Sequence, residues 1–430
     1  MQGRLTRRLL GLLRVRVPEA GFHHVVDLRR QASTRWDLPT ILGAVVTSML
    51  AGCKGLREME ALTAEMSRAS RRVLGIQRRL PDTTARQALV GVRLGDLREV
   101  LRRQVRTAHR RKALKPDGLP FGVVSLDGKF VPAPPTWRSG YVQIRNIGKP
   151  SEFGLIGTIT ATLISSSSKV CLDAEPIPRT WGEESRYPNL LGNLLRAYGK
   201  LDLFRLVTYD AGGCCRYNAR LTREMGLHYL FRVKEGRQPK LFAEAQRRLA
   251  SQTLDEAQAS TEDRYRGQQV RRSVYLAEDI GAWPAYAGHR AVVRIRRDRL
   301  DDDGQVLDTD DRYYITSLSR DALTGEQWIQ VTRGHWAVEN NCHHTWDAVF
   351  REDDRPWIVA EPRATLAVML LRRIAYNILT LYRSVTMRSA GSQMAAWRDL
   401  MRWIHNALIA ATRRQVEGLR QRKLPLDSLA

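Results

Sequence analysis

Apolar residues recur every three to four positions through the N-terminal part of the chain, the spacing of amphipathic helices. Leu5, Leu9, Leu12 and Leu13 share one face of a first helix, while Arg4, Arg7, Arg8 and Arg14 lie mostly elsewhere. The apolar run from Leu38 to Cys53 predicts a buried helix, with Pro39 in its first turn and Gly52 at its stop. Gly55 to Leu62 keeps the helical period, and Asp82-Thr83-Thr84 offers a cap for another helix. A basic helix follows, with Arg98, Arg102, Arg103, Arg106, Arg110, Arg111 and Lys112. Lys115-Pro116-Asp117-Gly118-Leu119-Pro120 then reads as a linker.

Beyond it the period shortens to that of strands. Phe121 to Leu126 predicts a buried strand ending at Asp127, and Leu203 to Tyr209 a second one closing on Asp210. Tyr141 to Ile144, Leu155 to Ile164, Val170 to Leu172 and Tyr229 to Lys234 are further strands, with helices at Leu190 to Tyr198 and Arg216 to Met225. This alternation predicts an α/β core with a mixed sheet over residues 116–385. Residues of about 240–320 break the rhythm. After a helix near Leu241 to Leu249 and a polar loop come the runs Val270 to Ala277, Arg290 to Arg296 and Tyr313 to Ser319, with the turn Asp301-Asp302-Asp303-Gly304. They predict a mostly β insertion. From Gly325 the chain is helical again, through Thr365 to Tyr382 and Met394 to about Arg420, and residues 386–430 form a basic helical region.

Charge changes the picture. Among 430 residues, 70 Lys and Arg stand against 45 Asp and Glu, a net charge of +25. Such a surplus repels itself unless a polyanion is bound, which points to nucleic acid. Residues 1–115 then read as a helical DNA-binding domain, with a helix-turn-helix as one arrangement of its short helices and the basic helix as a phosphate contact. Five cysteines without paired metal spacing read as small buried residues of a reducing, cytoplasmic compartment. The start of the chain lacks the apolar core of a secretion signal, and the run from Leu38 is too short to span a bilayer, so no membrane partner is expected.

Against this basic background three carboxylates stand out. Asp127 and Asp210 each follow an apolar strand and precede Gly or Ala-Gly, which places them at the carboxyl edge of a sheet. Glu339 lies on a helix crowded with His, Trp and Asn. Singly, a strand-end Asp often only caps the next turn. Together, such acids suit Mg²⁺ or Mn²⁺, since hard cations take oxygen ligands and two ions about 3.5–4 Å apart can activate an attacking hydroxyl and stabilise a leaving oxygen. His335, Glu339 and His343 share a helix face, but their spacing is not that of a two-histidine zinc motif, in which Glu sits between the ligands as a base. The two histidines instead orient the site, contact phosphate or pack. Trp336 and Trp346 read as core, with stacking on an unpaired base as the alternative. Lys129, Lys234 and Arg333 neighbour the acids in sequence and could hold phosphate oxygens; Asp353 is either a supporting group or solvated charge.

These residues resemble a family. Leu126-Asp127-Gly128-Lys129, Asp210-Ala211 and the helix Arg333 to Phe350 are similar to the DDE transposases of bacterial insertion sequences, closest to the ISAs-type or H-repeat-associated group. That group's third motif reads roughly R-x-HW-x-IEN-x-LHW-x-LDV-x-F-x-ED. The chain matches it at Arg333, His335, Trp336, Glu339, Asn340, His343, Asp347, Phe350, Glu352 and Asp353. It departs at Val338, Cys342, His344 and Trp346. Asp27-Leu28-Arg29-Arg30 to Gly52 and Leu80 to Thr84 also resemble the family's entry region. The resemblance implies an RNase H-like core and a metal-binding triad of Asp127, Asp210 and Glu339. It implies strand cleavage by water, then attack of a 3′-hydroxyl on target DNA. It further implies a bacterial, nucleoid-associated protein that binds double-stranded DNA, both transposon ends and target, as a homodimer. A DNA-binding descendant without catalysis and a metal-dependent nuclease without strand transfer remain the other readings of the same residues.

Overall fold

A computed structural model describes residues 2–29, 34–136, 139–265, 267–278, 285–387 and 395–420. Arg30, residues 388–394 and residues 421–430, with Arg422, lie outside the described residues.

The N-terminal part folds as helices α1 (Gln2–Glu19), α2 (Leu38–Leu50), α3 (Leu56–Glu65), α4 (Arg68–Leu74), α5 (Asp82–Gly91) and α6 (Leu94–Arg110). Asp37 caps α2, its side chain accepting from Thr40 N at 2.6 Å. Asp82 does not cap α5. It is the first helical residue, Pro81 is the cap position, and the Asp82 N–H donates to Glu60 Oε2 at 3.2 Å. In α6, Leu97, Val100, Leu101 and Val105 are buried. Two of its expected phosphate-binding arginines are held internally. Arg98 donates to Asp173 and Glu175 at 2.6–2.9 Å, and Arg102 reaches Asp173 at 2.6 Å. Asp173 is fully buried, so this cluster bolts α6 to the sheet beneath it.

The sheet begins with β1 (Val123–Ala133), β2 (Gln143–Arg145), β3 (Phe153–Leu163) and β4 (Cys171–Ile177), followed by α7 (Tyr187–Tyr198), β5 (Leu206–Tyr209), α8 (Arg216–Glu224) and β6 (His228–Val233). Spatially these run β4-β3-β1-β5-β6. β1, β5 and β6 are parallel and β3 is antiparallel to β1, so the sheet is mixed, as expected. β1 does not end at Asp127. β3 pairs with it from Val124↔Leu163 to Ala133↔Gly154, so the strand continues for six residues beyond that acid. The parallel ladder with β5, however, stops at Ser125↔Thr208, because β5 turns away at Asp210. Asp127 therefore sits where one neighbour is lost while the other persists.

The insertion forms α9 (Pro239–Leu249), β7 (Ala259–Tyr265), β8 (Gln268–Glu278), β9 (Ala291–Leu300) and β10 (Val306–Thr316). β10 pairs antiparallel with β6, and β9, β8 and β7 follow, so the insertion extends the same sheet to ten strands. β7 falls in the segment expected to be a polar loop. Its sequence, Ala-Ser-Thr-Glu-Asp-Arg-Tyr, lacks an apolar signal, and its register comes from pairing with β8.

The chain then forms α10 (Gly325–Ala337), a π-helical turn at Val338–His343, α11 (His344–Ala348), α12 (Pro362–Leu381), α13 (Trp397–Ala410) and α14 (Arg413–Arg420). Thr324 starts α10 with a capping box to Gln327. α12 packs against α2, α5 and α6, and α1 against α13 and α14, so both ends of the chain share one hydrophobic core. Pro362–Thr386 is apolar and long enough to cross a bilayer, but 94% of its apolar window is buried inside the protein.

Candidate active site

Strand period and helix period coincide at the site. Ser125 and Thr208 are directly paired and buried, and both hydroxyls stand within hydrogen-bond distance of His335 Nδ1, at 2.9 and 3.1 Å. Two residues along each strand, on the same face, come Asp127 and Asp210. One turn along the helix from His335 comes Glu339. Two strand residues and one helical turn advance by a similar length, roughly 6 Å, so a histidine seated on the Ser–Thr pair carries the glutamate over the two aspartates. The ladder between β5 and β6 ends at Tyr209↔Phe231, and the next residue of β6, Arg232, feels the charge of Asp210.

The carboxylates press on one another. Burial raises the Asp127 carboxyl well above its usual range, and Glu183, Glu339 and Asp210 push it further. Glu339, though exposed, is also raised, by partial burial and by Asp210, with Lys234, Arg232 and Arg312 opposing. Asp127 accepts from the Gly128 N–H at 2.9 Å and lies 3.3 Å from His343 Nδ1. That histidine is held neutral at about 3 by burial and by Arg373 and Lys129, so it neutralises nothing. His335 is likewise pushed down to about 4, chiefly by burial. Both histidines are buried and bonded to strand hydroxyls, His343 Nε2 lying 3.2 Å from Thr160 Oγ1. They orient the helix on the sheet.

A fourth acid, Glu183, was not marked by the sequence. It comes from the loop before α7, and a Cβ on Gly128 would lie 1.6 Å from its Oε2. The strand glycine beside Asp127 was the only local hint, since Gly within a strand marks a close approach. Burial, Asp210 and Glu184 raise Glu183 from its ordinary 4.5 to about 7. A raised carboxylate disfavours the folded state once ionised: the penalty is absent below about 4.5, grows with pH and is complete above about 7. Glu183→Gln should therefore melt higher than wild type at pH 8, by about 1–2 kcal/mol after allowance for solvent screening, and equally at pH 4. Thermal melts at the two pH values in chelator test this; equal melting at pH 8 would remove Glu183 from the cluster.

The donor set suits a hard divalent cation: oxygen ligands, mutually repelling, with no Lys or Arg in ion-pair contact with Asp127, Asp210 or Glu339 among the described residues. Among those residues, no group of three His, Cys, Asp or Glu already stands at the spacing of a metal cage. The supporting cations are placed differently from one another. Lys129 is buried and donates to Asp347 at 2.9 Å and Asp353 at 2.8 Å. Arg333 pairs with Asp263 of β7 at 2.6 Å. Lys234 is exposed at the end of β6, and Asn340 is exposed beside Glu339.

No protein-family model matches the chain. Two Escherichia coli K12 proteins, "Putative protein YbfL" and "H repeat-associated putative transposase YhhI", are each 27% identical to it over 267 residues, 60% of this chain and 64% of theirs. In sequence the chain is similar to these two proteins, one of them described as an H repeat-associated putative transposase. The match spans just under two thirds of the length of these curated relatives. A solved structure, the piggyBac transposase synaptic complex with hairpin DNA, covers 99% of this chain and 83% of its own at 13% identity and a TM-score of 0.42.

The residues of the third motif divide in space. His335 and Glu339 face the acids, whereas Asp347 and Asp353 hold Lys129, and Glu352 is buried against Arg373 of α12. The departures are accommodated locally. Val338 and Cys342 are buried, His344 is exposed, and Trp346 is fully buried with the Arg373 guanidinium 3.7 Å from its ring centre. Trp336, expected in the core with stacking on a base as the alternative, is only half-buried, and Arg232 and Arg312 stand over its ring at 4.9 and 4.4 Å.

Proposed function

We propose that the chain is a DDE transposase that cuts DNA at the ends of its element and joins them to target DNA. The observation that carries this reading is the placement of Asp127 and Asp210 on one sheet face near Glu339, with no Lys or Arg among the described residues in ion-pair contact, in a chain of net charge +25. Asp127, Asp210 and Glu339 would hold Mg²⁺ or Mn²⁺, as two ions. The metal would supply Lewis-acid activation of the attacking oxygen and charge for the leaving one. In the first step water oxygen bonds to phosphorus as the P–O bond to the 3′ oxygen breaks; the leaving 3′ oxygen gains one proton, to become a hydroxyl, and the second water proton passes to solvent. In the second, the freed 3′-hydroxyl attacks a target phosphodiester, one P–O bond forming as another breaks. His335 and His343, both neutral and buried, keep the helix in register and are not proton carriers at neutral pH. The two DNA ends favour a homodimer on DNA.

Incubating the protein with Mg²⁺, target plasmid and DNA carrying the element's inverted repeats tests the reading. Joined products are expected. Cut but unjoined ends would replace it with a nuclease, and a shifted, intact band with a DNA-binding protein that has no catalysis.

A further inference from the structure

The acids continue into a row of arginines on the same sheet face. Arg272 of β8 lies directly opposite Arg297 of β9, a like-charge pair of the kind that destabilises a sheet. Arg312 of β10 and Arg232 of β6 fall on that same face, since Arg297 opposes Asp310 and Arg232 opposes Tyr314. Arg232 in turn feels the charge of Asp210. α10 crosses this face, and Arg272, Arg297, Arg312, Trp336 and Asn340 line a groove between helix and insertion that opens next to Glu339.

The row is under-neutralised. Asp263 is shared by Arg272 and Arg333, at 2.7 and 2.6 Å, and Asp310 holds Arg312 at 2.8 Å. Arg232 and Arg312 are fixed over the Trp336 ring. The Arg297 side chain makes no ion pair or hydrogen bond among the described residues, although Asp310 is its cross-strand partner. Burial lowers the Arg272 guanidinium, and Arg333 and Arg297 lower it further, as expected for cations crowded without enough anion. From β6 to β8 the row crosses three strand spacings, roughly 14 Å. That is about the rise of four nucleotides along one DNA strand. A line of cations of this length fits a polyanion backbone, not a single small anion.

We propose that this groove holds the phosphate backbone of the DNA flank that leads to the scissile phosphate, so that the β insertion fixes the side from which DNA approaches the acids. The inference rests on the transposase reading and adds the residues that carry the DNA. It is tested by binding alone, on the full chain in chelator, with a fluorescent mixed-sequence duplex titrated at a series of KCl concentrations. Each lost phosphate contact should reduce the magnitude of the slope of log affinity against log salt by about 0.9. Arg272→Gln/Arg297→Gln is expected to flatten the slope by about 1.8, and Arg297→Gln alone, which removes no internal contact, by about 0.9. Arg402→Gln on α13, whose exposed guanidinium pairs with Asp399 one turn away, serves as a charge-matched control and should leave the slope unchanged. A wild-type slope for both groove variants would overturn the groove while leaving DNA binding intact. An equal loss in the control would also overturn it, by making the effect one of net charge. A wild-type protein that binds no duplex would remove the transposase reading itself.

Discussion

Asp127→Asn is expected to leave the protein folded and to abolish strand cleavage, by about three orders of magnitude, equivalent to roughly 4 kcal/mol in the barrier. Asn keeps the size of the side chain and its oxygen can still accept from the Gly128 N–H, so the β1–β3 hairpin is undisturbed. What is lost is a negative oxygen at the junction where β5 leaves the sheet. The same change should raise stability when no metal is added. Asp127 is buried among other acids and its folded pKa lies well above the ordinary 3.8. Its ionisation therefore opposes folding: the penalty is absent below about 3.8 and grows as pH rises through the raised value. In chelator the variant should melt above wild type at pH 8, the gap closing towards pH 4. Added Mg²⁺ should narrow it by stabilising wild type more than the variant, because a ligand bound only by the folded state shifts the folding equilibrium. Cleavage at the wild-type rate would sink the assignment of Asp127; melting below wild type at pH 8 would sink the account of mutual repulsion.

Glu352→Ala should be the most destabilising of these changes, by about 3–5 kcal/mol, because it strands a buried guanidinium. Glu352 and Arg373 are both fully buried and bonded to each other, with Arg373 stacked over Trp346 and the second Glu352 oxygen lacking a hydrogen-bond partner among the described residues. An unpaired guanidinium there keeps its proton and would have to open the core between α11 and α12 to reach water. Glu352→Met/Arg373→Met removes both charges and should recover much of the loss, since replacing a buried ion pair with apolar residues is often neutral. Denaturant melts of the two single variants and the double variant decide this. If the double variant is as unstable as the sum of the singles, the pair is not coupled. The site should feel the single change, because the loop bearing Glu352 also carries Asp353, which holds Lys129 two residues from Asp127.

Much of the acid site was legible because its signals are local. An apolar run followed by Asp and a small residue marks Asp127 and Asp210 whatever they contact. The period of four through His335, Glu339 and His343 puts these three on one helix face by geometry alone, though the structure interrupts that helix with a π-helical turn at Val338–His343. Glu183 carried no such signal, since it sits in a loop and reaches the site only when α7 packs on the sheet. β7 was missed for a similar reason: polar residues become a strand only when β8 offers its edge.

The fate of individual charges was not legible at all. Arg98, Arg102, Arg297 and Arg373 are chemically alike in sequence, yet the first two bolt α6 to β4, the last supports Trp346, and Arg297 forms no ion pair among the described residues. Sequence by itself determined the order of helices and strands, the basic surplus and which acids could act, because periodicity and composition are properties of neighbours along the chain. Only the tertiary structure decided that the acids and an arginine row share one sheet face and which cations are already neutralised. Register and burial join residues far apart in the chain, and electrostatic energy depends on those distances rather than on sequence spacing.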